Sequence, residues 1–131
     1  MQPIPIGATG HFALVVGQEH LASQVKDAAL PPVLATPIMV MMMENAALAA
    51  IRRYFDPGET SVGSAVDIRH LAATPAGQRV TAEAVVTKVE GRRVHFSVSA
   101  ADESETIGTG THERVVIDVA KFAHRLAAKA V

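Results

Sequence analysis

The chain has 131 residues, with 12 basic and 13 acidic side chains, a formal net charge of −1 and no cysteine. That length suits one domain spanning 1–131. The balanced charge argues against the concentrated basic surface that nucleic-acid binding needs, and the missing thiols exclude disulfides, thiolate metal sites and cysteine nucleophiles.

The opening Met-Gln-Pro-Ile-Pro-Ile has neither a basic region nor a continuous apolar stretch, so it does not read as a signal peptide. A strand is expected over Phe12–Val16, apolar and bracketed by Gly10 and Gly17. A short helix over 19–28 is expected next, followed by an extended stretch forced by Pro31-Pro32. Thr36-Pro37 then marks a helix start, with Thr as a cap and Pro at the first helical position. This helix is expected to run to about Arg53, and Asp56-Pro57-Gly58 ends it. From Ile38 to Ile51 it has almost no polar face, which predicts burial all round. The most apolar run, Leu34–Met43, is too short to span a bilayer, so a soluble, cytoplasmic protein without membrane contact is expected.

Strands follow. Thr60–Leu71 alternates loosely, and Thr74-Pro75-Ala76-Gly77 is a turn. Arg79–Glu90 alternates through Val80, Ala82, Ala84 and Val86. After Gly91, Arg93–Ala101 returns with Val94, Phe96 and Val98 on one face. Thr106–Ile117 is the last long strand, broken by Gly108 and Gly110. A terminal helix from Asp118 to about Lys129 carries Val119, Phe122, Ala123 and Leu126 at helical spacing. An apolar helix needs a surface that wraps it, and a curved antiparallel sheet of about five strands supplies one. The order predicts an α+β chain resembling the hot-dog fold.

Three side chains stand out chemically. Glu44 lies in the most apolar helix. It is either a desolvated carboxylate with a raised pKa or, with Asn45, the helix's one wet stripe. Thr36 is either a plain cap or a hydroxyl at a helix N-terminus able to donate to a developing oxyanion. His70 closes a strand before a loop, a place where catalytic groups tend to sit, though a lone histidine is more often ordinary surface or core. Gly108–Arg114 (GTGTHER) is a further constellation. Its glycines read as a bulge or a close backbone approach, and His112-Glu113 has no partner at helical spacing for zinc. The Met39, Met41, Met42 and Met43 cluster reads as adaptable core. Neither a metal nor a cofactor is expected.

Taken in order, the stretch LATPIMVMMMENA from Leu34 to Ala46, Ser61-Val62-Gly63, HLAATPAG from His70 to Gly77, Val89–Arg93 and Gly108–Arg114 closely resemble the fluoroacetyl-CoA thioesterase family. The resemblance covers nearly the whole chain. It implies a homodimer with active sites at the subunit interface and hydrolysis of an acyl-CoA. It also implies catalytic roles for Thr36, Glu44 and His70 and substrate contacts for Gly63 and Arg114. The family's aromatic lid residues before the helix are missing here. The matching stretch is Asp27-Ala28-Ala29-Leu30-Pro31, which implies a different or broader acyl group. A low charged share, 19%, fits a surface partly covered by a second copy. Arg92, Arg93 and Lys88 are candidates for CoA phosphates by charge alone, against ordinary solvated hairpin charges. The rival readings are a hot-dog hydratase or dehydratase and a non-catalytic acyl-CoA sensor.

Overall fold

The computed structural model describes residues 1–130. Five antiparallel strands form one sheet: β1 (Thr9–Val15), β2 (Glu59–His70), β3 (Arg79–Glu90), β4 (Arg93–Ala101) and β5 (Thr106–Asp118), in the spatial order β1-β3-β4-β5-β2. A short helix α1 (Ala22–Val25) follows a 3-10 turn at Gln18–His20. The long helix α2 (Thr36–Ile51) lies across the sheet, and α3 (Val119–Lys129) ends the described chain.

Period-two alternation builds the sheet's inner face. Val80, Ala82, Ala84 and Val86 of β3 are buried there with Val94, Phe96, Val98 and Ala100 of β4. Helix α2 answers with Met39, Met42, Met43, Ala46, Ala47, Ala50 and Ile51. Small residues set how closely the layers approach. A Cβ on Gly10 would stand 2.2 Å from the Ala46 carbonyl oxygen and 2.4 Å from the Ala50 nitrogen, so only glycine lets β1 lie against the helix backbone. At the other end of α2 the methionines fill the wider gap, with the Met39 sulfur 2.6 Å from the Cβ position of Gly108.

The structure departs from the sequence expectation in four places. The first strand begins at Thr9, three residues before the apolar run, because its backbone pairs with Val85 of β3 whatever the side chain. The helix expected over 19–28 shrinks to the 3-10 turn and the four residues of α1. Strand β5 runs unbroken through Gly108 and Gly110, which mark close approach, while its register with β4 slips beside Gly108, where Ile107 is the extra residue. Helix α3 keeps its expected bounds, with none of its residues buried and Val119 and Leu126 about half exposed. Finally, α2 is not buried all round. Thr36, Pro37, Met41 and Ala49 are exposed, and Val40, Glu44, Asn45 and Leu48 are partly so, making one open stripe along the side away from the sheet.

Strand β2 is the far edge of the sheet, bonded to β5 on one side only. Gly63 through Asp67 are all exposed. A bulge falls in this stretch, where the register slips between Gly63 and Ala65 and leaves Ser64 unpaired.

Candidate active site

Thr36 does not cap α2. The N-cap is Ala35, without a side-chain bond, and Thr36 is already helical, with Pro37 behind it. Its hydroxyl is therefore free to turn outward, and Thr36 Oγ1 lies 2.8 Å from His70 Nδ1. His70 is the last residue of β2, so the contact ties the start of the helix to the end of an edge strand. Burial lowers the His70 pKa below its ordinary 6.5, against a weaker opposing effect of the nearby Ala72 backbone. The ring is neutral at pH 7. Its Nε2 is buried and has no hydrogen-bond partner among the described residues.

A cavity of about 430 Å³ opens beside this pair. Leu30, Pro31, Val33 and Leu34 line one side, Leu71 and Ala72 another, and Lys26 stands at its wall. The stretch before the helix does border the site, and its contributions there are aliphatic.

Glu44 sits elsewhere. It lies eight residues along α2 from Thr36, about 12 Å at the helical rise. The expectation of a carboxylate sunk in an oily helix is not met: its side chain is 39% exposed, and the wet-stripe reading describes it better. Its partner is Arg114, whose Nη1 lies 3.9 Å from Glu44 Oε2. Gly63 completes the group. A Cβ there would stand 2.8 Å from Glu44 Oε2, 3.3 Å from His112 Cε1 and 3.7 Å from Arg114 Nη1. The missing side chain is what leaves the carboxylate its place.

Arg114 is 7% exposed and firmly held. Its Nε donates to Ser61 Oγ at 2.7 Å and its Nη2 to the Ser61 carbonyl at 2.9 Å. His112, 3% exposed, stands two residues before it on the same face of β5. Burial pushes the Arg114 guanidinium below its ordinary value, and Glu44 opposes that shift. Arginine remains charged regardless.

The five residues singled out in the sequence thus form two clusters within one chain: Thr36 with His70, and Glu44 with Gly63 and Arg114. Ser61 and His112 belong to the second cluster and were missed as members. Both lie in stretches that carry the family resemblance, and a further signal is the period-two spacing of His112 and Arg114 along β5, and of Ser61 and Gly63 along β2.

A sheet of five antiparallel strands curled round one long helix defines the hot-dog class. The chain superposes on a hot-dog-like protein from Thermanaerovibrio acidaminovorans with a TM-score of 0.87 at 25% identity, covering 98% of this chain and 94% of that one. A solved fluoroacetyl-CoA thioesterase superposes with a TM-score of 0.93 at 38% identity, over 99% of this chain and 100% of the other. A fluoroacetyl-CoA thioesterase from Streptantibioticus cattleyicolor is 50% identical over 95 residues, which are 72% of this chain and 68% of that protein. The model of the fluoroacetyl-CoA-specific thioesterase family matches residues 16–120. The chain belongs to this family of thioester hydrolases.

Proposed function

We propose that this protein hydrolyses the thioester of a small acyl-CoA, and that it does so as a homodimer whose sites combine the two clusters. The observation that carries the reading is the pairing of a neutral histidine with a helix-terminal hydroxyl beside an open cavity, with a carboxylate on the same helix facing Arg114 of β5. Hydrolysis needs an attacking group, a stabilised oxyanion and protonation of the departing thiolate. Glu44 is the attacking group. It acts either on the carbonyl carbon, giving a mixed anhydride that water then opens, or as base for a water molecule. In both routes the C–S bond breaks and CoA leaves as thiolate, to be protonated through His70. The Thr36 hydroxyl and backbone N–H groups near Gly63 serve the oxyanion.

The dimer follows from the free edge of β2. Antiparallel pairing of that edge with its copy, centred on the exposed stretch 63–67, runs the two strands in opposite directions. The Gly63 end of one copy then lies toward the His70 end of the other. Glu44 of one chain thereby approaches Thr36 and His70 of its neighbour, closing a separation that one helix alone leaves at about 12 Å. The aliphatic wall from Leu30 to Leu34 suits a small acyl group without selecting for fluorine. The cytoplasm fits such a substrate.

The test is release of free thiol from a panel of acyl-CoA esters, comparing the wild-type chain with Glu44→Gln. Turnover of short acyl-CoAs by the wild type, reduced by about 10²-fold or more in the variant, is the expected result. A silent panel, or an unimpaired variant, overturns the proposal. Single-turnover hydrolysis in heavy-oxygen water tests the covalent route: label in the Glu44 carboxylate marks an anhydride that water opens at the glutamyl carbonyl.

A further inference from the structure

We propose that Ser61 and His112 are positioning residues that fix the Arg114 guanidinium, and through it Glu44, in the geometry the reaction needs. The proposal rests on the thioesterase reading and adds two residues to it.

The hydrogen bonds dictate the roles. His112 Nδ1 lies 2.8 Å from the Ala65 carbonyl oxygen. A carbonyl only accepts, so Nδ1 carries the proton. In a neutral ring Nε2 is then a lone pair, and it faces Arg114 Nη1 at 3.3 Å. Arginine only donates, so Nη1 donates to Nε2. A second proton on the ring would point at a cation, and burial with the nearby guanidinium keeps the ring neutral. The same Nη1 is the nitrogen that reaches Glu44. His112 thus aims the working end of the guanidinium, while Ser61 holds the other two nitrogens with its hydroxyl and its carbonyl.

The fold supports this arrangement on both sides. The bulge in β2 falls between Gly63 and Ala65, beside the carbonyl that His112 uses. The imidazole also stacks on Phe96, with ring centroids 5.8 Å apart and planes 25° apart. That stack fixes the ring plane and so the direction of the Nε2 lone pair. An arginine with five donors and a flexible stem would otherwise sample many positions. Here every nitrogen of its head group has an acceptor or a carboxylate in range.

The experiment uses the full chain with Ser61→Ala, Ser61→Thr and His112→Phe, each alone and in an Arg114→Lys background. His112→Phe keeps the stack on Phe96 and removes both ring nitrogens. Ser61→Ala and His112→Phe are expected to lower kcat by about 10- to 100-fold, the cost of a misplaced group, with KM changed much less. Ser61→Thr, which restores the hydroxyl, is expected to recover most of the activity. In the Arg114→Lys background Ser61→Ala should cost little more, because its target is gone. In parallel, the Arg114 Nε–H resonance is followed by NMR. It should exchange slowly with water in the wild type and quickly in Ser61→Ala. Unchanged kcat with unchanged exchange overturns the proposal. So does an equal loss in both backgrounds, which would mark a structural role. A wild type that hydrolyses no acyl-CoA overturns the thioesterase reading instead, and the exchange measurement still decides whether Ser61 and His112 hold Arg114.

Discussion

His70 is the residue whose protonation matters most. Its neutral ring carries one proton between Nδ1, 2.8 Å from the Thr36 hydroxyl, and the buried Nε2, and so keeps one acceptor nitrogen. Protonation makes both ring nitrogens donors and takes away the acceptor. Because burial lowers this pKa, activity should hold through pH 7 and fall only as the pH drops through a midpoint below 6.5. A profile of kcat/KM from about pH 4.5 to 8 checks this, and His70→Gln should lack that inflection. Gly63 gives a second test. Gly63→Ala puts a methyl 2.8 Å from Glu44 Oε2, and the half-open carboxylate can swing away without disturbing the core. Kinetics should show a loss of about 10- to 100-fold in kcat, while thermal unfolding stays within a few degrees of wild type.

At the level of the element, the sheet was legible and the helix faces were not. The bounds of β3 and β4 match the sequence expectation residue for residue, because Val80, Ala82, Ala84 and Val86 and then Val94, Phe96 and Val98 alternate cleanly. The limits of α2 were also readable from Thr36-Pro37 and the apolar run. What its composition could not tell was which side stays open, since Met41 and Met42 are equally apolar and only one of them meets the sheet. The same blindness explains Thr36: cap chemistry and a bond to His70 need the same hydroxyl, and only the position of a strand 34 residues away decides between them. Ser61 and His112 are ordinary strand residues until Arg114 is placed between them. The contact of β1 with α2 yields an expectation of its own. Gly10→Ala forces a methyl into helix backbone at 2.2 Å, and backbone cannot move aside as a side chain can. A loss of about 1–3 kcal/mol or more is expected, read as a lower urea midpoint with an unchanged slope.

At the level of the whole molecule, the two clusters make a joint prediction. Thr36→Ala and Glu44→Gln should each be nearly inactive as homodimers. If each active site draws on both chains, unfolding and refolding an equal mixture restores one intact site in every mixed dimer. Half the dimers are mixed and half of their sites are intact, so about a quarter of wild-type activity should return. Sites confined to one chain would give no more recovery, site by site, than the two inactive parents themselves. Sedimentation should report twice 13.8 kDa, and Val66→Arg on the exposed edge should shift that mass toward one copy while abolishing turnover.

The bare outer margin of β2 has a consequence for how the enzyme behaves at low abundance. If the carboxylate and the hydroxyl of one site come from two copies, turnover becomes a second-order property of the protein's own concentration. Serial dilution should lower the rate per mole once self-association weakens, and saturating substrate bridging both bodies should slow that decline by mass action.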